Sequence, residues 1–354
     1  MYSWLGDWSE NSSKWTAELR KQVGGGKTVN DHGLFWMSFA DFTKYFSSID
    51  ICKTRLDLFE NRIPGYFYYD GCNEMYAYNL IVFDTSEFDI GLFHKFNKNR
   101  RENSELDLSF VVLKKNKQKK DLIEGVEVAT KRYVRKFMGC EHIFEAGEYL
   151  IVPMSFNFWT KPSSSKKARS KYDLQQQLQK KNINPFNNLY NLVVHSTKEF
   201  YLEQKIYSKS LLADTLIQLC LSKGERIPSG LKSACIYQLT NYWSGILFVA
   251  ENYDKKQYLH VELDLERSKN VTSTRESFIT KDSVPPLSRQ VLNVITHLEG
   301  VKDFSIHYKV KYRLSINPNL IVWPGMSSRT KMKRNHPDLV MEPSNVHAPR
   351  SVFY

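Results

Sequence analysis

Thiol and imidazole groups are the side chains here best suited to covalent chemistry. Five cysteines, Cys52, Cys72, Cys140, Cys220 and Cys235, and nine histidines are scattered through 354 residues. A nucleophilic thiolate needs a pKa lowered by a helix N-terminus or a nearby cation, and a base within reach. No cysteine stands in such a context. Cys220 lies between Leu219 and Leu221, and Cys52 and Cys140 fall at expected strand ends among apolar residues. No cysteine pair has C-x-x-C spacing, which argues against a disulfide framework and a Cys-based zinc site. Free thiols suit a reducing, intracellular compartment. The run "GGGKT" at 24–28 invites a phosphate loop, which needs G-x-x-x-x-G-K-[ST] after an apolar strand. Position 21 is Lys21, and a charged helical pattern precedes it, so a surface loop is expected.

The net charge of +12 is unevenly placed. Residues 95–120 hold nine Lys/Arg against three acids, and residues 161–181 hold seven against one, which accounts for the whole excess. Two readings are open: solvated loops, or a patch for anionic membrane. In "FHKFNKNRR" the candidate lipid contacts are Lys95, Lys98, Arg100 and Arg101, with Phe93 and Phe96 as candidate inserting rings. The competing account of that run is a strand whose aromatic face packs inward. No nucleic-acid motif accompanies the charge. No run of eighteen apolar residues and no basic, then apolar, leader is present, so neither a transmembrane helix nor a secretory signal is expected.

These groups must be held by elements. "KWTAELRKQ" reads as a short helix, "LFWMSF" as a strand, and "ADFTKYF" as a helix capped by Ser38 with Phe42 and Phe46 on one face. "SIDICK" reads as another short strand. Residues 54–159 carry aromatic and β-branched runs between turn residues, the pattern of an antiparallel β-sandwich. Residues 160–185 are polar and basic, a linker between domains that need not pack tightly. Residues 186–315 read as α+β: strands "LYNLVVHS" and "FYLEQKIY", a helix "SLLADTLIQLCLSKG", three further strands, a second helix "PPLSRQVLNVITHLEG", and a closing strand "FSIHYKVKYRL". Residues 316–354 have few apolar positions and read as a disordered tail.

Three of the seven tryptophans crowd the first fifteen residues, in "WLGDWSENSSKW". This stretch resembles the W-x-G-x-W-S-[DE]-x-S-x-x-W segment of the calpain family. "GLFWMSFADFTKYFSSIDICK" is similar to the same family's D-G-x-F-W-M-S-F segment. The positions carrying the likeness are Trp4, Gly6, Trp8, Ser9, Trp15, Phe35 and Trp36. "KFMGCEHIFEAGEYLIVPMSFNFW" resembles the end of the β-sandwich domain in the small-optic-lobes (SOL) calpain subfamily. "GERIPSGLKSACIYQLTNYWSGILFVAEN" and "YLHVELDLERSKNVTSTRESFITKDSVPPLSRQVLNVITHLEG" resemble the SOL homology domain.

The resemblance implies a multidomain α+β chain. Residues 1–53 would be the end of a papain-like protease core, 54–159 a C2-like β-sandwich and 186–315 a SOL homology domain. It implies that the Cys, His and Asn of the catalytic triad lie upstream of Met1. This chain would then have no peptidase activity alone, although its parent family comprises calcium-dependent cysteine endopeptidases. Met1 not being the true start is one explanation of that layout. The expected role is to support the remainder of the protease core and to position protein substrates or partners. The alternative is a free-standing adaptor on anionic membrane. No cofactor is expected in the chain. The family's core calcium site would fall on Ser3, Glu10, Asn30, His32 and Leu34, of which only Glu10 keeps a carboxylate. The tryptophans would be interior packing, which predicts exposed apolar surface, or disorder, in residues 1–53 when this chain stands alone.

Overall fold

The computed structural model describes residues 4–23, 35–49, 57–67, 73–95, 106–116, 123–157, 189–318 and 342–352, apart from short breaks at 135, 229, 241–243, 276, 298–302 and 343–344. The expected linker at 160–185 lies outside the described residues, as does the surface loop expected at 24–28. The chain divides into two units, Met1–Leu56 and Asp57–Tyr354.

In the first unit α1 (Ala17–Gln22) starts at Thr16, whose hydroxyl accepts from the Leu19 amide. α2 (Phe39–Tyr45) starts at Ser38, whose hydroxyl accepts from the Asp41 amide, as the sequence predicts. The Phe42 and Phe46 rings stack at 4.9 Å. The strand expected over "LFWMSF" does not form: residues 35–38 are irregular and lead straight into the cap. "SIDICK" falls almost wholly outside the described residues.

The second unit is a stack of four sheets. β1 (Phe59–Tyr66), β3 (Ser86–His94), β7 (Phe137–Phe144) and β9 (Leu189–Ser196) form the first sheet in the order β1-β9-β3-β7. β2 (Glu74–Val82), β4 (Asp107–Lys115), β5 (Ile123–Ala129), β8 (Gly147–Met154) and β10 (Phe200–Ser208) form the second in the order β10-β2-β8-β4-β5, with the short β6 (Tyr133–Val134) beside β4. Alternate residues of β2, β4 and β8 serve two cores. Tyr78, Leu80, Phe110, Val112 and Ile151 face the first sheet. Met75, Ala77, Val111, Leu113, Leu150 and Val152 face the other way, against a helix.

That helix, α3 (Ser210–Lys223), buries Leu212, Ala213, Thr215, Leu216, Ile217, Leu219 and Cys220. A helix apolar around so much of its girth has sheets on both sides. Beyond it lies the third sheet. It comprises β11 (Glu225–Ile227), β12 (Ala234–Leu239), β13 (Gly245–Asn252), β15 (Val271–Ser273) and β17 (Ser288–His297), with β19 (Arg350–Ser351) added to β17. Leu247, Val249, Val291 and Val294 meet α3 in the same core as the sandwich residues. The opposite face, with Ile236, Ile246, Phe248, Leu292 and Ile295, packs on the fourth sheet through Leu259, Val261 and Leu263. That sheet comprises β14 (Tyr258–Asp264), β16 (Ile279–Val284) and β18 (Lys309–Ser315) in the order β16-β14-β18.

Four expectations are corrected. The helix expected over 285–300 is a strand, β17. A β-bulge sits opposite Phe248 and Val249, which pair with Asn293 and Val291 and leave Leu292 over. The extra residue puts Val291 and Val294 on one face and Leu292 and Ile295 on the other. That i, i+3 spacing on each face imitates a helix. Pro285 and Pro286 form a turn instead of a first helical turn, with Leu287 at φ 52° and the Asn252 side-chain amide donating to the carbonyls of Val284 and Pro285.

Second, the sandwich does not end at 159. β9 lies between β1 and β3, and β10 pairs with β2 along its whole length. Residues 160–185 therefore fall between β8 and β9 of one sandwich. The domain expected to begin at 186 loses its first two strands to that sandwich, and its α+β description with them. Third, the sandwich and the third sheet share a core through α3 instead of standing apart. Fourth, the tail is ordered over 345–352: Val346, His347 and Ala348 are buried and β19 pairs with β17.

Candidate functional site

In the first unit the matched aromatics form a chain of edge-to-face contacts. Trp8 and Trp15 lie 5.0 Å apart, Trp15 and Trp36 6.4 Å, and Trp4 and Tyr45 5.4 Å. The indole of Trp4 donates to the Asp7 carbonyl and that of Trp15 to the Ser9 carbonyl. Gly6 is required by contact, since a Cβ there would stand 2.3 Å from the Trp4 ring. Trp8 has φ 65°, which reverses the chain within the segment. Arg20 covers the Trp15 ring at 5.3 Å and donates to the Glu10 carbonyl. Yet no described residue of this unit is buried; Phe35 is 48 % and Trp36 43 % exposed, and Phe39 is 80 %.

Of the expected calcium positions the described residues include only Glu10. The Glu10 residue is exposed, and Ser3, Asn30, His32 and Leu34 lie outside the described residues. Among the described residues no group of three His, Cys, Asp or Glu side chains is arranged to hold a metal. Burial pushes the thiols of Cys140 and Cys220 up to about 12, so both stay protonated and unreactive. Cys140 sits within β7 and not at its end. Of the four candidate lipid contacts, Lys95 is exposed just beyond β3; Lys98, Arg100 and Arg101 lie outside the described residues. Phe93 neither packs inward nor stands alone. It meets Phe137 at 4.5 Å on the outer face of the first sheet, the two rings lying against Gly91 and Gly139.

Sequence reasoning missed the polar joint of the second unit. Arg132 and Asp107 are fully buried and paired. Asp107 Oδ1 accepts from the Ser155 hydroxyl at 2.7 Å and from the amides of Phe156 and Asn157 at 2.7 and 3.0 Å. Its Oδ2 accepts from Thr296 at 2.9 Å. Arg132 also donates to the Ile295 carbonyl, and its own carbonyl accepts from the amide and hydroxyl of Ser244. Burial lowers the guanidinium pKa while Asp107 opposes the shift. The Asp107–Arg132 pair thus ties β4 and the end of β8 to β17 and, through the Arg132 carbonyl, to the residue before β13. The partners are far apart in sequence, which leaves no local signal.

Residues 1–53 match the calpain family cysteine protease family, and residues 219–318 match the calpain-D-like, C-terminal domain family. The second match begins in the last turns of α3 and takes in the third and fourth sheets through β18. It leaves out β9 and β10, in agreement with their place in the sandwich. Among curated relatives, calpain-9 of Mus musculus is 39% identical over 59 residues, 16% of this chain and 9% of that protein. Calpain-8 of Rattus norvegicus is 32% identical over 82 residues, 23% of this chain and 10% of that protein. Calpain-5 of Mus musculus is 41% identical over 53 residues, 14% of this chain and 8% of that protein. The matched stretch thus spans a tenth or less of each of these relatives. Two segments of this chain, one at the N-terminal end and one beyond the sandwich, are thus similar to calpain-family sequences.

Proposed function

We propose that this chain is a non-catalytic, C-terminal part of a SOL-type calpain, an intracellular cysteine endopeptidase. It supports the remainder of the protease core and positions substrate or partners. The observation that carries the reading is the aromatic chain Trp8–Trp15–Trp36, matched to the protease family yet without a buried member. Rings of this size each bring roughly 150–250 Å² to a core, and they find that core in the rest of a protease domain. Two measurements test it. The chain alone is expected to leave a calpain substrate uncut; turnover blocked by a thiol reagent overturns the non-enzyme claim. A calpain protease core ending before its W-x-G-x-W-S segment is expected to co-elute with this chain and to lose it on Trp15→Ala plus Trp36→Ala. Failure of the unsubstituted pair to associate removes the supporting role.

The exposed Phe93–Phe137 pair beside Lys95 favours one second reading, an adaptor on anionic membrane. Co-sedimentation with phosphatidylserine vesicles at low salt, lost at high salt, is its expected signature. No binding at low salt removes it.

A further inference from the structure

The C-terminal segment sits on the second unit as a ligand sits in a groove. The family match ends at 318, and β18 ends at Ser315. The described chain resumes at Glu342, whose carboxylate accepts from the side-chain amide of Asn73. Next comes Asn345-Val346-His347-Ala348-Pro349-Arg350, anchored at several points. Asn345 caps a turn through the amide of His347. Val346 enters the core shared by α3, Val291 and Val294. The His347 ring donates from Nδ1 to the Val291 carbonyl at 2.9 Å. Arg350 forks onto Asp214 of α3, Nε to Oδ1 at 3.2 Å and Nη2 to Oδ2 at 3.5 Å. Arg350 and Ser351 pair with Arg289 and Ser288, and the Val352 amide donates to the Leu287 carbonyl.

A short strand added to a sheet edge, preceded by the buried side chains of Val346, His347 and Ala348, is a recurring mode of peptide recognition. It covers the edge of β17 at Ser288 and Arg289, while β15 pairs with the far end at Ile295–His297. The cross-strand pair Arg289–Arg350 sets like charges opposite each other, which disfavours docking. Asp214 supplies the opposite charge on the adjoining helix. Among the side-chain contacts, the Val346 anchor, the His347 bond and the Arg350–Asp214 pair are separable by substitution.

We propose that the edge of β17 beside α3 is a binding groove for an extended peptide of the pattern Val-His-Ala-x-Arg, and that residues 345–352 are its resident ligand, held in cis. A second segment of that pattern displaces the tail by competing for the same anchors. The 23 residues from 319 to 341 tether the tail. Because it is covalently linked, the tail docks intramolecularly, so it excludes weaker competitors.

The test uses the full chain with a specific protease site inserted between Ser327 and Ser328. After cleavage, a fluorescent peptide of residues 342–354 is expected to bind saturably, while the uncut chain binds it at least tenfold more weakly. Arg350→Ala in the peptide, or Asp214→Asn in the chain, is expected to weaken binding about fivefold to tenfold, and Val346→Asp in the peptide to abolish it. The uncut chain carrying Val346→Asp in its own tail is expected to stay folded and to bind the unsubstituted peptide. Two outcomes overturn the proposal. One is loss of the cooperative unfolding transition when the tail is released or substituted, which makes the tail an integral strand. The other is a folded, tail-free chain that does not take up the peptide.

Discussion

In the first unit Trp8, Trp15 and Trp36 touch edge to face, and none is buried. In the second, Phe88, Phe110, Phe144 and Phe248 are sealed within two cores. Both regions are rich in rings and both form the short-range contacts their sequences specify. What separates them is the second layer. Each sheet of the second unit finds another sheet, or α3, on its apolar face. The two helices of the first unit have six and seven residues and bury nothing. Helices this short are unstable without tertiary packing. Aromatic content therefore measures what a segment can bury, and the layer opposite decides whether it does.

Hydrogen exchange is expected to show the largest difference. Amides of β4, β8, β13 and β17 should exchange at least about a thousandfold more slowly than those of α1 and α2, in keeping with the range from frayed segments to core strands. Comparable protection in the two units breaks the comparison. Ion pairs sharpen it further. Asp107→Ala leaves Arg132 buried without its carboxylate and is expected to destabilise the second unit by about 3–5 kcal/mol in chemical denaturation. Asp7→Ala removes the half-exposed pair with Lys14 and is expected to cost about 0.2–1 kcal/mol at most.

Within the second unit, two glycines separate close approach from backbone conformation. Gly245 has φ 150°, and a Cβ there would fall 1.9 Å from the Ile295 carbonyl oxygen, beside Arg132. Gly245→Ala should lower stability by about 3 kcal/mol or more, since strain of this kind costs about 1–3 kcal/mol before any clash. Gly230 has φ 66° and open space around it. There alanine should cost only the left-handed penalty of about 1–2 kcal/mol. Equal losses at the two sites would place the cost in conformation alone.

A further expected effect is a slope with pH. Burial, with Arg275 nearby, lowers the His347 pKa to about 3, the bond to Val291 only partly opposing. The unfolded imidazole titrates near its usual 6.5. Between those values the unfolded chain binds the extra proton. Stability from this group is thus intact above pH 6.5 and falls as the pH drops toward 3, by up to about 1.4 kcal/mol per pH unit. Denaturation midpoints at pH 7 and 4.5 should differ less in His347→Asn than in the unsubstituted chain.

Much of the second unit was legible locally. The bounds of β9 and β13 and the stop of α3 at Gly224 follow from runs and punctuation in the sequence, as does the Ser38 cap in the first unit. What failed was partnership. β9 and β10 read correctly as strands but were assigned to the wrong domain, because nothing in "LYNLVVHS" says which strand it will pair with. β17 read as a helix because its bulge gives apolar residues helical spacing. The tail read as disordered because Val346 is a single anchor without periodicity. For the candidate site, the aromatic motif was visible by residue type and spacing, whereas the Asp107–Arg132 joint joins groups too distant in sequence to leave a pattern.

The sequence by itself determined the caps, the turns, the strand runs and the apolar girth of α3, since these depend on neighbours within a few residues. Tertiary structure alone decided that one sandwich spans residues 59–208, that α3 lies between two sheets and that Arg350 and Ser351 pair with β17. Those outcomes depend on which surfaces meet, and buried area counts contacts made in space, whatever their separation along the chain.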